Sequence, residues 1–334
     1  MEKKIICFGV RNYEKPTFDA LAKKYGYELV LRSEYLTDEC VALADGYEIV
    51  MVRGNCVLSK ENYKRLYDKG LRYYLTRTAG YNHVDLTTCK ELGIESAFVP
   101  GYSPNAIAEL ALSSAMTLLR HVQYTADKSH KLDFKVTDTM FSKEIRECTV
   151  GVIGCGRIGR TSASLFHGLG AKVIGYDVFP GEDSEVLSYV DLDTLLTQSD
   201  VIVMHAAYVA GQNDNMIGAN EIAKMKDGVV LVNVARGELL DGKAAVEAVK
   251  SGKIDGLACD VLRGEKAIFN HAFNSLDEIN DPIVKEMVSL YPKVLITPHV
   301  ASATDGALKD MVEVSLLNMD EYIATGKCKN SLIK

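Results

Sequence analysis

Short apolar runs recur along this chain, each followed by a longer stretch with helical spacing, and that alternation restricts its fold more than any other feature. In the first hundred residues the runs fall at 4–8, 27–31, 48–52, 73–76 and 96–99. A second series begins at Thr149 with TVGVIG and continues through KVIGYD (172–177), VIVMHA (201–206), VVLVNV (229–234), GLACDV (256–261) and VLITPH (294–299). Runs this continuously apolar belong to strands covered on both faces, as in parallel sheets crossed by helices. The predicted fold class is α/β, with two doubly wound parallel-sheet domains.

The domains need not be consecutive. Ser103-Pro104-Asn105 has the chemistry of a helix start, and residues 106–119 are too apolar for a surface helix. A buried inter-domain or subunit helix is expected there. After His299 a further helical pattern runs from about 304 to 325. The expected division is a discontinuous domain of residues 1–101 and 300–334 around an inserted domain of 102–299. A length of 334 residues suits about two domains.

Charge and cysteine usage exclude several classes. With 38 Lys and Arg against 45 Asp and Glu, the formal charge is −7, which argues against nucleic acid as a partner, since phosphate binding needs a basic surface. No segment approaches the ~20 uninterrupted apolar residues of a membrane span. The eight cysteines form no C-x-x-C pair; they read as reduced core thiols, with no metal site. The N-terminus enters a strand-like run without a signal peptide. A cytoplasmic enzyme acting on a small molecule fits these observations.

The second series opens on a phosphate-binding pattern. In VGVIGCGRIG, Gly154 permits a tight turn, Gly156 lets the backbone approach a pyrophosphate, and Gly159 lets helix and strand pack closely. Arg157 and Ile158 begin the helix whose free N–H groups would face the phosphates. Asp177 ends the next run, eighteen residues beyond Gly159. Its carboxylate would accept from ribose hydroxyls and repel a 2′-phosphate, and Val178, Phe179 and Pro180 offer that phosphate no arginine. The expected cofactor is NAD.

Arg236, Glu265 and His299 stand at or just after the ends of late strands, where ligands bind in open parallel sheets. A cation, an acid and an imidazole match hydride transfer to a 2-oxo acid. Arg236 would hold the substrate carboxylate and polarise its carbonyl. His299 would donate the proton, and Glu265 would orient His299 and keep it protonated near neutral pH.

Taken in order and spacing, VGVIGCGRIG, Asp177, NVARGELLD, CDVLRGE and TPHVAS resemble the D-2-hydroxyacid dehydrogenases, as do RTAGYNHVD (77–85) and VPGYSPNAIAEL (99–110). The resemblance covers essentially the whole chain. It implies a flavodoxin-like substrate domain, an inserted Rossmann NAD domain, a closing cleft and homodimers assembled around the NAD domain. It places the family's catalytic roles on Arg236, Glu265 and His299, a nicotinamide contact on Asp260, and cofactor-lining positions on His205 and Val234. One departure is Ala207, where relatives usually have a proline.

For the substrate wall, Arg53, Ala79 and Gly80 lie in strand-end loops of the first domain, and Tyr102 joins them. The Ala79 and Gly80 amides suit a 1-carboxylate, while Arg53 hints at a second carboxylate. Ser302, where lactate- and isocaproate-type relatives usually carry an aromatic, implies a more polar pocket. With RGNC and HVAS together, the chain looks most like (R)-2-hydroxyglutarate dehydrogenases, so 2-oxoglutarate is the expected substrate. The alternatives are a D-lactate or branched/aromatic D-2-hydroxyacid dehydrogenase, separable by substrate profiling, and an NAD-sensing corepressor, separable by NADH oxidation at enzyme-like rates.

Overall fold

A computed structural model describes residues 3–333. The chain divides into two compact units, Met1–Ser103 with Ala303–Lys334, and Pro104–Ser302. In the first, β1 (Lys4–Cys7), β2 (Glu28–Leu31), β3 (Ile49–Val52), β4 (Tyr73–Thr76) and β5 (Glu95–Ala97) form a parallel sheet in the order β2-β1-β3-β4-β5. This is the flavodoxin-like order, which reverses between β1 and β3. All four residues of β3 are buried, consistent with helices on both faces.

The C-terminal helix Asp305–Thr325 belongs to this unit. Thr304 caps it by accepting from the Ala307 N–H, and Gly326 ends it in the left-handed region. Leu308, Val312, Leu316, Met319 and Tyr322 enter one core with Ile5, Phe18, Ile49 and Leu75. Asn318 donates to the Phe98 carbonyl at 2.9 Å, and Tyr322 to the Ser96 carbonyl at 3.1 Å. Within the expected run 96–99 the regular strand ends at Ala97, although the Val99 N–H still donates to the Thr78 carbonyl at 3.2 Å, and the chain end pairs alongside. Ala97 bridges Ser331 in antiparallel fashion, and the Phe98 N–H donates to the Asn330 carbonyl.

The second unit holds β6 (Thr149–Ile153), β7 (Lys172–Tyr176), β8 (Ser188–Tyr189), β9 (Val201–Met204), β10 (Val229–Asn233), β11 (Ile254–Cys259) and β12 (Val294–Ile296). Read from one edge, the parallel order is β8-β7-β6-β9-β10-β11-β12. Its first six strands follow the dinucleotide-binding order, with the reversal between β6 and β9. The two-residue β8 was too short to leave a pattern in the sequence.

The helix Pro104–Leu119 lies within this unit, packed on the helix Arg157–Gly168 and on β10 and β11. Its buried residues are four alanines (106, 108, 111, 115) with Leu118 and Leu119. Small side chains allow this close approach: a Cβ on Gly256 would lie 2.8 Å from Leu118 Cβ. A second helix, Val122–His130, buries no residue and so has no apolar stripe for a sequence to reveal. No helix among the described residues is long and apolar enough to cross a membrane.

Candidate active site

The three glycines of the β6 turn serve different ends. Gly154 has φ +91°, and a Cβ there would lie 2.4 Å from the Ala206 amide nitrogen. A Cβ on Gly159 would come within 2.0 Å of the Gly154 carbonyl oxygen. Both spaces belong to the chain itself. By contrast, a Cβ on Gly156 would meet nothing within 4 Å, at the N-cap of the twelve-residue helix Arg157–Gly168. Open room before unpaired helical N–H groups is what a pyrophosphate needs.

Asp177 follows β7 and accepts from the Cys155 N–H at 2.7 Å and the Phe179 N–H at 3.0 Å. It therefore ties the glycine turn to β7 with its carboxylate partly exposed. Arg157 is exposed, Ile158 half-buried and Val234 buried at the end of β10. His205, just past β9, shares a 3.0 Å hydrogen bond through Nε2 with Ser162 of the glycine-turn helix. Its buried Nδ1 has no hydrogen-bond partner among the described residues, and burial pushes its pKa down to about 4. The ring is neutral near pH 7.

At the carboxyl edge of the same sheet, His299 Nδ1 lies 2.6 Å from Glu265 Oε1. Glu265 also accepts the Leu262 N–H at 3.1 Å. Burial raises the Glu265 carboxyl, but the His299 bond and charge, the Leu262 N–H and the Arg236 charge outweigh it and hold the carboxyl below its ordinary value. Arg236 is exposed, with Nη1 donating to the Ala235 carbonyl at 2.6 Å. His299 does not end a strand, as its run suggested. β12 stops at Ile296, Pro298 has no N–H to continue the ladder, and His299 takes a left-handed φ of +53°.

In the first unit, Arg53 follows β3 and its Nη1 donates to Glu14 Oε1 at 3.1 Å. Glu14 is nearly buried and also faces Arg77 Nη1 at 3.6 Å. Arg77 is fully buried, donating to the Gly9 carbonyl at 2.7 Å and lying 5.2 Å from the Phe18 ring centroid. Two guanidinium groups thus share one carboxylate. The Thr78 hydroxyl donates to the Gly80 carbonyl at 2.6 Å, folding the Ala79-Gly80 turn. Tyr102 and Ser302 are both half-buried.

Residues 112–301 match the family model described as D-isomer specific 2-hydroxyacid dehydrogenase, NAD binding domain. The chain belongs to that family. Its relatives include an aromatic 2-oxoacid reductase of Clostridium sporogenes, 38% identical over 332 residues and 99% of each chain. A D-lactate dehydrogenase of Lactiplantibacillus plantarum is 39% identical over 327 residues, 97% of each. The solved D-lactate dehydrogenase of Treponema pallidum superposes with a TM-score of 0.90 at 35% identity, covering 98% of this chain and 99% of that one. The protein is an NAD-dependent D-2-hydroxyacid dehydrogenase, with its NAD-binding fold in the second unit.

Two residues of the dehydrogenase carry more of the site's geometry than their motifs suggested. Asp260, buried after β11, accepts from the Thr297 hydroxyl at 2.6 Å and from the Val300 and Ala301 N–H groups at 2.9 and 3.0 Å. It builds the turn that presents His299. Burial raises its carboxyl above the ordinary value, these donors offsetting part of the effect. Asn233, fully buried, donates from Nδ2 to the Arg236 carbonyl at 3.0 Å and accepts the Ala235 N–H at 3.0 Å. An Asn at a strand end is common in any sequence, so nothing singled it out.

His205 has a consequence for acid stability. A histidine with a depressed folded pKa contributes stability that is complete above its unfolded value and is lost as pH falls toward the folded one. For His205 that window runs from 6.5 down to about 4. The melting temperature of the protein should fall across this window, and His205→Gln should fall less. Parallel melting curves with equal slopes in the two proteins would show that His205 is not responsible.

Proposed function

We propose that the dehydrogenase reduces a 2-oxo acid to the (R)-2-hydroxy acid with Arg236, Glu265 and His299 as catalytic residues. The observation that carries this reading is the 2.6 Å His299–Glu265 contact, with Arg236 close enough for its charge to act on Glu265. Arg236 binds the substrate carboxylate and polarises the carbonyl. NADH, when bound, supplies the hydride to the carbonyl carbon. The His299 imidazolium gives its proton to the carbonyl oxygen and is reprotonated from solvent after each turnover. Gly154, Gly156, Arg157, Ile158, Gly159, Asp177, His205, Val234 and Asp260 form the cofactor side, while Ala79, Gly80, Tyr102 and Ser302 line the substrate.

The 2.6 Å contact with Glu265 fixes the orientation of the His299 ring, which makes the carboxylate the orienting partner of the proton donor. Glu265→Gln should therefore lower kcat while leaving KM for NADH little changed. His299→Gln should lower kcat roughly a hundredfold to ten-thousandfold. Steady-state kinetics in both directions check this, and a kcat unchanged by Glu265→Gln would remove Glu265 from the mechanism.

For the substrate, the excess of positive charge at Arg53, Arg77 and Glu14 supports a dicarboxylate, 2-oxoglutarate. Arg53 spends one donor on Glu14 and keeps the rest of its fork for a second carboxylate. A second reading, a monocarboxylate such as pyruvate or an aromatic 2-oxo acid, is favoured by that same Glu14 pair and by the names of the relatives. A panel of 2-oxoglutarate, pyruvate and phenylpyruvate with NADH separates the two. The first reading expects the highest kcat/KM with 2-oxoglutarate, and a loss on Arg53→Ala confined to it. Equal losses for all three substrates would leave Arg53 a structural residue.

A homodimer assembled through the NAD unit is part of the same proposal. Its support is the segment after helix Val122–His130, where Leu132, Phe134, Val136 and Phe141 are each between 73% and 82% exposed. Side chains this apolar are seldom left clustered in water. Light scattering should give the mass of two chains, and Phe134→Glu with Val136→Glu should give one. A wild-type monomer at micromolar concentration would sink the proposal.

A further inference from the structure

The loop 206–216 contains a departure from the family pattern, Ala207, which lacks the restriction on φ that a proline brings. Polar bonds hold the loop instead. Asn213 Nδ2 donates to the Ala207 carbonyl at 2.8 Å, and the Val209 N–H to Asn213 Oδ1 at 2.8 Å. The Tyr208 hydroxyl and the Gly211 N–H donate to the two oxygens of Asp214 at 2.8 and 2.7 Å. The loop ends at Asn215, in the left-handed region at φ +50°. There the Asn215 N–H donates to the Glu238 carbonyl at 2.8 Å.

One side chain from a third segment meets that junction. Arg263 Nη2 donates both to Asn215 Oδ1 at 2.8 Å and to the Glu238 carbonyl at 2.9 Å. Glu238 stands two residues after Arg236, and Arg263 two residues before Glu265. The backbones of the two turns already touch, since a Cβ on Gly237 would lie 2.1 Å from the Leu262 carbonyl carbon and 2.2 Å from the Arg263 amide nitrogen. The charge of Arg263 also acts on Asp214, whose carboxyl is held low first by the Tyr208 and Gly211 donors and then by this guanidinium.

We infer that Arg263 is a positioning residue, whose guanidinium ties the cofactor-side loop 206–216 to the turns that carry Arg236 and Glu265. Order in that loop and the placement of the catalytic groups are then coupled through this side chain, beside the Asn215–Glu238 backbone bond. Arginine suits the task because its planar fork offers several donors in fixed geometry, where lysine offers a point charge. The inference rests on the roles proposed above for Arg236 and Glu265.

Arg263→Ala removes the donor. Asn215→Gly removes the acceptor without strain, because glycine takes a positive φ at no steric cost. In the ligand-free protein, each variant should speed amide hydrogen exchange across 207–216 by roughly threefold to tenfold, the worth of one net hydrogen bond. Each should lower kcat/KM for NADH by a similar factor, Arg263→Lys should recover part of it, and the double variant should be no worse than the poorer single. Effects that multiply, or exchange that does not change, would make Arg263 an ordinary surface arginine. Exchange is read without turnover, so it is independent of the catalytic assignment. Full activity in Arg236→Ala would overturn that assignment while leaving the exchange result intact.

Discussion

Parallel pairing in the second unit sends every strand in one direction, so all seven release the chain at the same edge of the sheet. The glycine turn after β6, Asp177 after β7, His205 after β9, Arg236 after β10 and Asp260 after β11 are gathered there by this constraint alone. Residues far apart in sequence become neighbours without any specific contact having to recruit them. The reversal of strand order between β6 and β9 then opens a crevice at that edge. The remaining local structure refines positions within a frame the sheet has already set.

Refinement is mostly a matter of buried polar groups that have partners. Asp260 spends its oxygens on three donors of the 297–301 turn, which stabilises a left-handed backbone at His299 that a side chain rarely adopts. Asn233 closes the turn before Arg236. In a low-dielectric interior such bonds are strong, and leaving one partner unpaired is costly. The first unit is less complete: Arg77 is buried with Glu14 at 3.6 Å and the Gly9 carbonyl at 2.7 Å, while its Nε and Nη1 have no hydrogen-bond partner among the described residues. That arrangement leaves Arg53 half-committed to Glu14, which makes the identity of the substrate a question about one carboxylate.

Periodicity revealed most of the architecture, because strands covered on both faces must be apolar throughout. Among the described residues, eleven of the twelve strands left such runs, while the two-residue β8 and the helix Val122–His130, which buries no residue, did not. Runs overshot strand ends where the chain stays apolar after its pairing stops, as at VLITPH, which leaves the ladder after Ile296. Gly154 and Gly159 were legible because backbone crowding tolerates no side chain there, and Glu265 and His299 because their motifs are distinctive. Asp260, Asn233, Glu14 and Arg263 were not legible in their structural roles, since each acts on a segment distant in the chain.

By itself, then, the sequence determined the class of fold, the dinucleotide turn, the preference for NAD and the residue types available for hydride transfer. These follow from local rules of burial period, glycine conformation and charge. Only the tertiary structure decided that Arg53 already has a carboxylate partner and that Asp260 builds the His299 turn. Each of those depends on which distant groups share a buried volume, and hydrogen-bond partners of that kind are chosen by packing rather than by sequence spacing.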